Sequence, residues 1–169
     1  MIWRSTATVT VVSLAYALLA GCATPPPAIG MFEDSTEILY GEALLEYNNY
    51  TKMFVKAGDF NMRGSDTGLV CNGRIALGGT PLDNEQAPVG MTCKGQGGKV
   101  TAQCEDERLL EATWTANSCK AGSGSGSDSS GRAFAFTFGI SERKAIDRIE
   151  RMLGVHRNRP GWPRADHDK

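Results

Sequence analysis

The sequence predicts a small, mainly β fold, an antiparallel meander or barrel of about six to eight strands closed by one C-terminal α-helix. Three observations carry that expectation. Residues 66–138 alternate apolar and polar side chains with a period of two, as strands with one buried face do. Four cysteines, Cys71, Cys93, Cys104 and Cys119, fall inside the same stretch and can form two disulfides. After it comes the clearest helix pattern of the chain, residues 141–154.

Taken in order, residues 35–56 admit two readings. Ser35 could begin a helix with good helix formers behind it. Gly41 would then sit mid-helix, at a cost of about 1 kcal/mol relative to Ala. The stretch "EYNNYTKMFV" reads instead as a hairpin with Asn48-Asn49 at its tip, and strands are the better reading. In "LVCNGRIAL", Asn72-Gly73 lies between short apolar runs and signals a second hairpin, since both residues tolerate positive φ. Val100, Ala102 and Cys104 share one strand face, Glu105-Asp106-Glu107 can turn, and Leu110, Ala112, Trp114 and Ala116 share a face of the next strand. "CNGRI" and "CEDERL" look like two copies of one cysteine–turn–arginine hairpin. The segment "KAGSGSGSDSSGRAFAFTFG" then connects two core strands. Its Gly-Ser alternation reads as an edge strand of small side chains, and Phe134, Phe136 and Phe138 face the core. In the helix, Ser141 is a good N-cap and Gly154 can close the C-terminus. Ala145, Ile146, Ile149, Met152 and Leu153 form the stripe that would dock on the sheet. Residues 155–169 read as a disordered basic tail.

The hairpin at 105–107 also orders the cysteines. If 100–104 pairs with 108–116, Cys119 falls near the end where "KGQGG" turns the chain, beside Cys93. Cys104 lies at the opposite end and is left to meet Cys71. This favours Cys93–Cys119 and Cys71–Cys104 over the other two connectivities. Spacings of 22, 11 and 15 residues, with no C-x-x-C pair, do not make a zinc site.

The N-terminus speaks about address. Arg4 is followed by an uncharged, largely apolar run from Ser5 to Ala20, shorter than the roughly 20 residues of a membrane-spanning helix. The ending Leu19-Ala20-Gly21-Cys22 closely resembles the lipobox of bacterial lipoproteins. That resemblance implies a signal peptide over 1–21, cleavage before Cys22 and a diacylglycerol on its thiol, hence a membrane partner. Ala23, in place of the Asp that retains enterobacterial lipoproteins at the inner membrane, implies the outer membrane. Residues 22–34, with "ATPPPAIG", would form a proline-stiffened tether, followed by a β domain over 35–140. Between 22 and 140 the chain carries 9 basic and 14 acidic residues, and from 141 onward 8 and 5. An acidic body argues against nucleic acid as a partner.

Catalytic chemistry finds little support. Both histidines, His156 and His167, lie in the tail, so neither a Ser–His–Asp set nor a catalytic zinc is expected. Paired cysteines leave no thiolate nucleophile. Glu105, Asp106 and Glu107 would lack the burial that raises a general acid's pKa. "KGQGGKV" misses phosphate-loop spacing, with Val100 where a hydroxyl is needed. A single "GSGSD" is too short for a calcium-binding repeat array. No cofactor and no metal are expected.

"SSGRAF" (129–134) is similar to the Ser-Gly-x-x-Tyr loop of bacterial inhibitors of c-type lysozyme, small disulfide-bonded β-barrels that include lipoproteins. The resemblance implies that Ser130 and Gly131 would enter an enzyme cleft and Arg132 would meet its acidic groups; with Asp128 these residues form the candidate partner-binding loop. Phe134 stands where that family has tyrosine, and no tryptophan segment follows in the sheet. The leading expectation is a non-catalytic module, anchored to the outer membrane, that binds or scaffolds an envelope protein or cell-wall component. An inhibitor of a lysozyme-like hydrolase comes second and an enzyme acting on cell-wall glycan third.

Overall fold

A computed structural model describes residues 26–78 and 93–155 of the chain. The expected signal peptide, Cys22, both histidines and the basic tail from 156 onward lie outside the described residues. Eight strands follow one another as neighbours: β1 Pro27–Phe32, β2 Leu39–Asn48, β3 Met53–Gly64, β4 Val70–Leu77, β5 Gly97–Cys104, β6 Leu109–Ser118, β7 Ala121–Asp128 and β8 Ala133–Phe138. All neighbouring pairs are antiparallel, and β8 pairs back with β1 to close a barrel. The helix α1, Glu142–Leu153, lies outside against β8 and β1.

The period-two pattern works as expected through β5 and β6, and the second half of β3 alternates in the same way. Their inward residues, among them Phe60, Val100, Leu110 and Trp114, join one core with the phenylalanines of β8. Outward positions carry Glu42, Asp59, Arg63, Arg74, Lys99 and Glu111, all exposed. A membrane-spanning barrel presents the reverse, an apolar band outside. In β1 and β8 both faces are buried, because α1 covers the outer one. Ile29, Met31 and Ala135 form a second cluster there with Ala145, Ile146 and Ile149. Met152, at the edge of the helical stripe, stays 37% exposed. Ser141 is the N-cap position but makes no side-chain cap bond, and Gly154 ends the helix in the left-handed region.

The Gly-Ser run is β7, and its glycines point inward. Gly122, Gly124 and Gly126 lie opposite Phe138, Phe136 and Phe134 of β8. A Cβ at Gly124 would sit 2.5 Å from the Phe136 ring and from the Thr113 carbonyl oxygen. On the other flank Ala28 and Gly30 of β1 face Phe138 and Phe136. The phenylalanine rings therefore occupy the space that small residues on both neighbouring strands leave free, the device of an aromatic covering a strand glycine. β7 is not an edge strand, since a closed barrel has no edges.

Two further expectations are corrected. Asn72-Gly73 makes no turn: it lies inside β4, opposite Gln103 and Ala102 of β5. A Cβ at Gly73 would meet Ala102, so the glycine serves a close approach of strands, the other meaning of glycine in a strand. The expected repeat of cysteine–turn–arginine hairpins goes with it, because only "CEDERL" turns. The β domain also begins earlier than residue 35. Pro27–Phe32 forms β1, and Ala28 and Phe32 are buried, so this part of the expected tether is barrel wall. The remaining turns agree, with hairpin ends at 49–52, 105–108 and 129–132. Both disulfides, Cys71–Cys104 and Cys93–Cys119, form as expected.

Candidate functional site

The barrel has two unlike ends. At one, the turns after β1, β3, β5 and β7 carry Glu33, Asp34, Glu37, Asp66, Glu105, Asp106 and Glu107, with Arg108 and Arg132 among them. Asp128, the last residue of β7, is the centre of this cluster and its side chain is fully buried. It accepts hydrogen bonds from the Ser130 and Arg132 backbone N–H groups at 2.8 and 3.0 Å and from Arg132 Nε at 2.8 Å. Burial opposes its ionisation, but the Arg132 N–H and guanidinium and the Ser130 N–H outweigh that, and its pKa falls below the usual carboxylate range. Arg132 also reaches Asp34 at 3.3 Å, and Arg108 holds Asp106 at 2.6 Å. Both guanidiniums lie over the Phe32 ring, 4.5 and 5.5 Å from its centroid. This end is shut by arginines stacked on an aromatic.

Glu37 ties the same end together. Its carboxylate accepts from Asp66 N, Thr67 N and the Thr67 hydroxyl at 3.1, 2.7 and 2.8 Å. Desolvation again acts upward, yet the Thr67 and Asp66 bonds and the nearby Arg108 charge bring its pKa down. Both shifted carboxyls are thus held ionised, the opposite of what a glycosidase acid requires. Glu105 and Glu107 are exposed on their turn.

The loop singled out by sequence, Asp128 to Arg132, is the β7–β8 hairpin. Asp128 N–H donates to the Arg132 carbonyl, and Gly131 N–H donates back to that of Asp128. Ser129 is bonded to Leu109 in both directions, backbone N–H to carbonyl and Leu109 N–H to the serine hydroxyl. Ser130 and Gly131 are exposed, while Asp128 and Arg132 are engaged with each other. The four disulfide cysteines divide between the ends: Cys71–Cys104 at the shut one, Cys93–Cys119 at the other.

The second end is open. β1 pairs with β2 only as far as Pro27 opposite Glu42, whereas β2 continues to Asn48. Among the described residues, Ala43–Asn48 therefore have a strand partner on the β3 side alone. The run Pro25-Pro26-Pro27 explains this, because proline has no N–H to extend the ladder. Two register shifts in the β2–β3 pairing bend β2 at the same place. The gap is a cleft of 690 Å³, walled by Leu44, Leu45, Tyr47, Phe54 and Phe138, with Glu46 and Lys120 among its polar residues. That volume falls within the roughly 300–1,000 Å³ of small-molecule sites. Phe54 and Phe138 both pack edge-on against the buried Trp114, each 5.8 Å between centroids. The rim is fixed: Cys93–Cys119 crosses it, and Phe54 N–H donates to Gln96 Oε1 at 2.7 Å. The described turns of this end carry Lys52, Lys94 and Lys120 and no acid. Tyr50, at the tip of the β2–β3 hairpin, is 95% exposed.

Sequence reasoning names Phe138 as a core residue and Cys119 as a disulfide partner, but singles out none of the residues of this cleft as a binding site. The proline run reads as a tether, and its second consequence, a strand that stops short, is the available signal. Among the described residues no group of three or more His, Cys, Asp or Glu side chains is placed to hold a metal ion. Elsewhere, a shallower outer-face groove of 310 Å³ runs beside Arg74, Gln103 and the exposed Leu109.

No family model matches the chain, and no curated protein matches it. Among solved structures it is similar to a chain described as "De novo design of a fluorescence-activating beta barrel", at 15% identity and a TM-score of 0.41, over 69% of this chain and 90% of that one. At that score the likeness carries no argument.

Proposed function

We propose that the chain is a non-catalytic binding module of a bacterial cell envelope, anchored to the outer membrane through lipidated Cys22, with its ligand in the open mouth of the barrel. The observation that carries the binding reading is the cleft at the proline-terminated seam, more apolar than polar in its lining and bordered by the Cys93–Cys119 crosslink. A packed barrel wall with one fixed, concave, largely apolar opening is what a binding site requires. Two disulfides fit an oxidising compartment such as the periplasm, and the lipobox resemblance supplies the anchor. Against catalysis, the carboxyls with displaced pKa are structural anchors held in the charged form. The geometry gives no added support to the inhibitor reading, because Arg132 already serves Asp128 and Asp34.

Binding is tested with a solvatochromic apolar dye on the full chain, alone and as Leu45→Arg, which places a charge in the cleft wall. Saturable dye fluorescence that the variant loses, with its melting transition retained, supports the reading. Equal fluorescence from both proteins rejects the cleft as the site. Anchoring is tested separately: Cys22→Ser should abolish acyl labelling and signal cleavage, and unchanged processing rejects it.

A further inference from the structure

We propose that the cleft takes a single acyl chain bearing an anionic head, drawn from the membrane to which the protein is anchored. This rests on the binding and anchoring readings above and names the ligand class. The apolar part follows from the walls, since Leu44, Leu45, Phe54 and Phe138 offer surface for a hydrocarbon chain, while Glu46, Asn49 and Lys120 supply the polar part of the lining. The anionic head follows from charge. Lys120 lines the cleft on the β6–β7 turn, while the cleft's own acid, Glu46, is neutralised by Lys56 at 3.1 Å.

The membrane source follows from reach. Cys22 precedes Pro26 by four residues, and Pro26 lines the cleft. Four extended residues span at most about 14 Å, so a lipid on Cys22 holds the open end, not the shut one, near the bilayer. The surface there suits that orientation. The hairpin turns after β2 and β6 carry Lys52 and Lys120, whereas the acidic cluster sits at the far end. Anionic lipid attracts such cations at about 1 kcal/mol each near the surface. Tyr50, 95% exposed at the hairpin tip, is the residue type that settles at a headgroup boundary.

Trp114 supplies the readout, because it packs on both Phe54 and Phe138. In the full chain carrying Trp3→Phe, Cys22→Ser and Trp162→Phe it is the sole tryptophan. Titration with a terminally brominated dodecanoic acid should quench its fluorescence saturably. Lys120→Glu should weaken that binding about tenfold, and the brominated methyl ester should bind no better to the parent than to Lys120→Glu. Lys120 lies in an exposed turn, so a melting curve suffices to show that its variant is folded. In a second arm, the same tryptophan variants with Cys22 restored are reconstituted by their anchor in phosphatidylcholine vesicles containing brominated lysophosphatidylglycerol. Quenching that Lys120→Glu diminishes supports delivery from the membrane. If ester and acid bind alike, the anionic head is rejected while the binding barrel stands. Quenching by free acid with none from vesicles rejects the membrane source. If neither acid, ester nor apolar dye binds, the parent reading falls with this one.

Discussion

The shut and open ends of the barrel are made from the same kind of wall and finished by opposite chemistry. At the shut end the last polar groups find one another: Asp128 lies between Arg132 and Arg108, and both guanidiniums cover Phe32. At the open end the ladder simply runs out at Pro27, and apolar side chains of β2, β3 and β8 are left around a gap. The contrast shows how a small barrel can separate stability from recognition. Charges that are mutually satisfied make a lid, and a strand that cannot continue makes a mouth.

The difference between the ends is tested most severely at Asp128. Asp128→Ala leaves the largely buried Arg108 and the half-buried Arg132 without their shared acid, and should cost about 3 kcal/mol by chemical denaturation. The cleft of the folded fraction should bind as before. A loss of dye affinity larger than the loss of folded protein would show that the ends are coupled. Removing the rim disulfide with Cys93→Ser and Cys119→Ser should cost a comparable amount, roughly 3–4 kcal/mol for a crosslink of this span, and should weaken the cleft as well. If stability falls with dye binding unchanged, the rim does not shape the site.

Acid distinguishes the ends more gently. The folded-state pKa values of Asp128 and Glu37 are depressed, so the folded state binds fewer protons than the unfolded one. Their stabilisation is present above the usual carboxylate pKa of about 4 and is lost as pH falls through the depressed values. Hydrogen exchange below that pH should reveal amides at 128–132 and 66–69 opening before those of the rim at 93–96. Simultaneous opening would remove the assignment to one end. Smallest of all, Lys120→Ala should change stability by no more than about 0.5 kcal/mol, as surface substitutions do. A larger change in a thermal melt would make Lys120 part of the wall.

Much of the wall is legible in the sequence alone. Period two in 100–104 and 108–116 defines a hairpin, and that hairpin sorts four cysteines into their pairs, because distance along an antiparallel pair is distance in space. Asn72-Gly73 misleads for a specific reason. Asparagine–glycine is a turn by backbone permissiveness, yet here Gly73 answers to a neighbouring strand, and that demand is not local. Barrel closure is invisible for the same reason, since β1 and β8 meet across about a hundred residues. Of the site, sequence reasoning reaches the shut end, where Asp128 and Arg132 stand in a recognisable turn. It misses the open end, whose cleft is assembled from the ends of β2, β3 and β8 and has no contiguous motif.

The glycine-lined face of β7 bears on the order in which the protein assembles. With Gly122, Gly124 and Gly126 turned inward, that strand brings no hydrophobic driving force of its own, and its hold on the core comes from the phenylalanines of β8. A chain emerging N-terminus first cannot seal its sheet until residues 133–138 arrive, because the same phenylalanine strand also supplies the partner of β1. Synthesis from the N-terminus therefore leaves an open, curled sheet until the last strand arrives, and closure and the burial of three aromatic rings happen as one event.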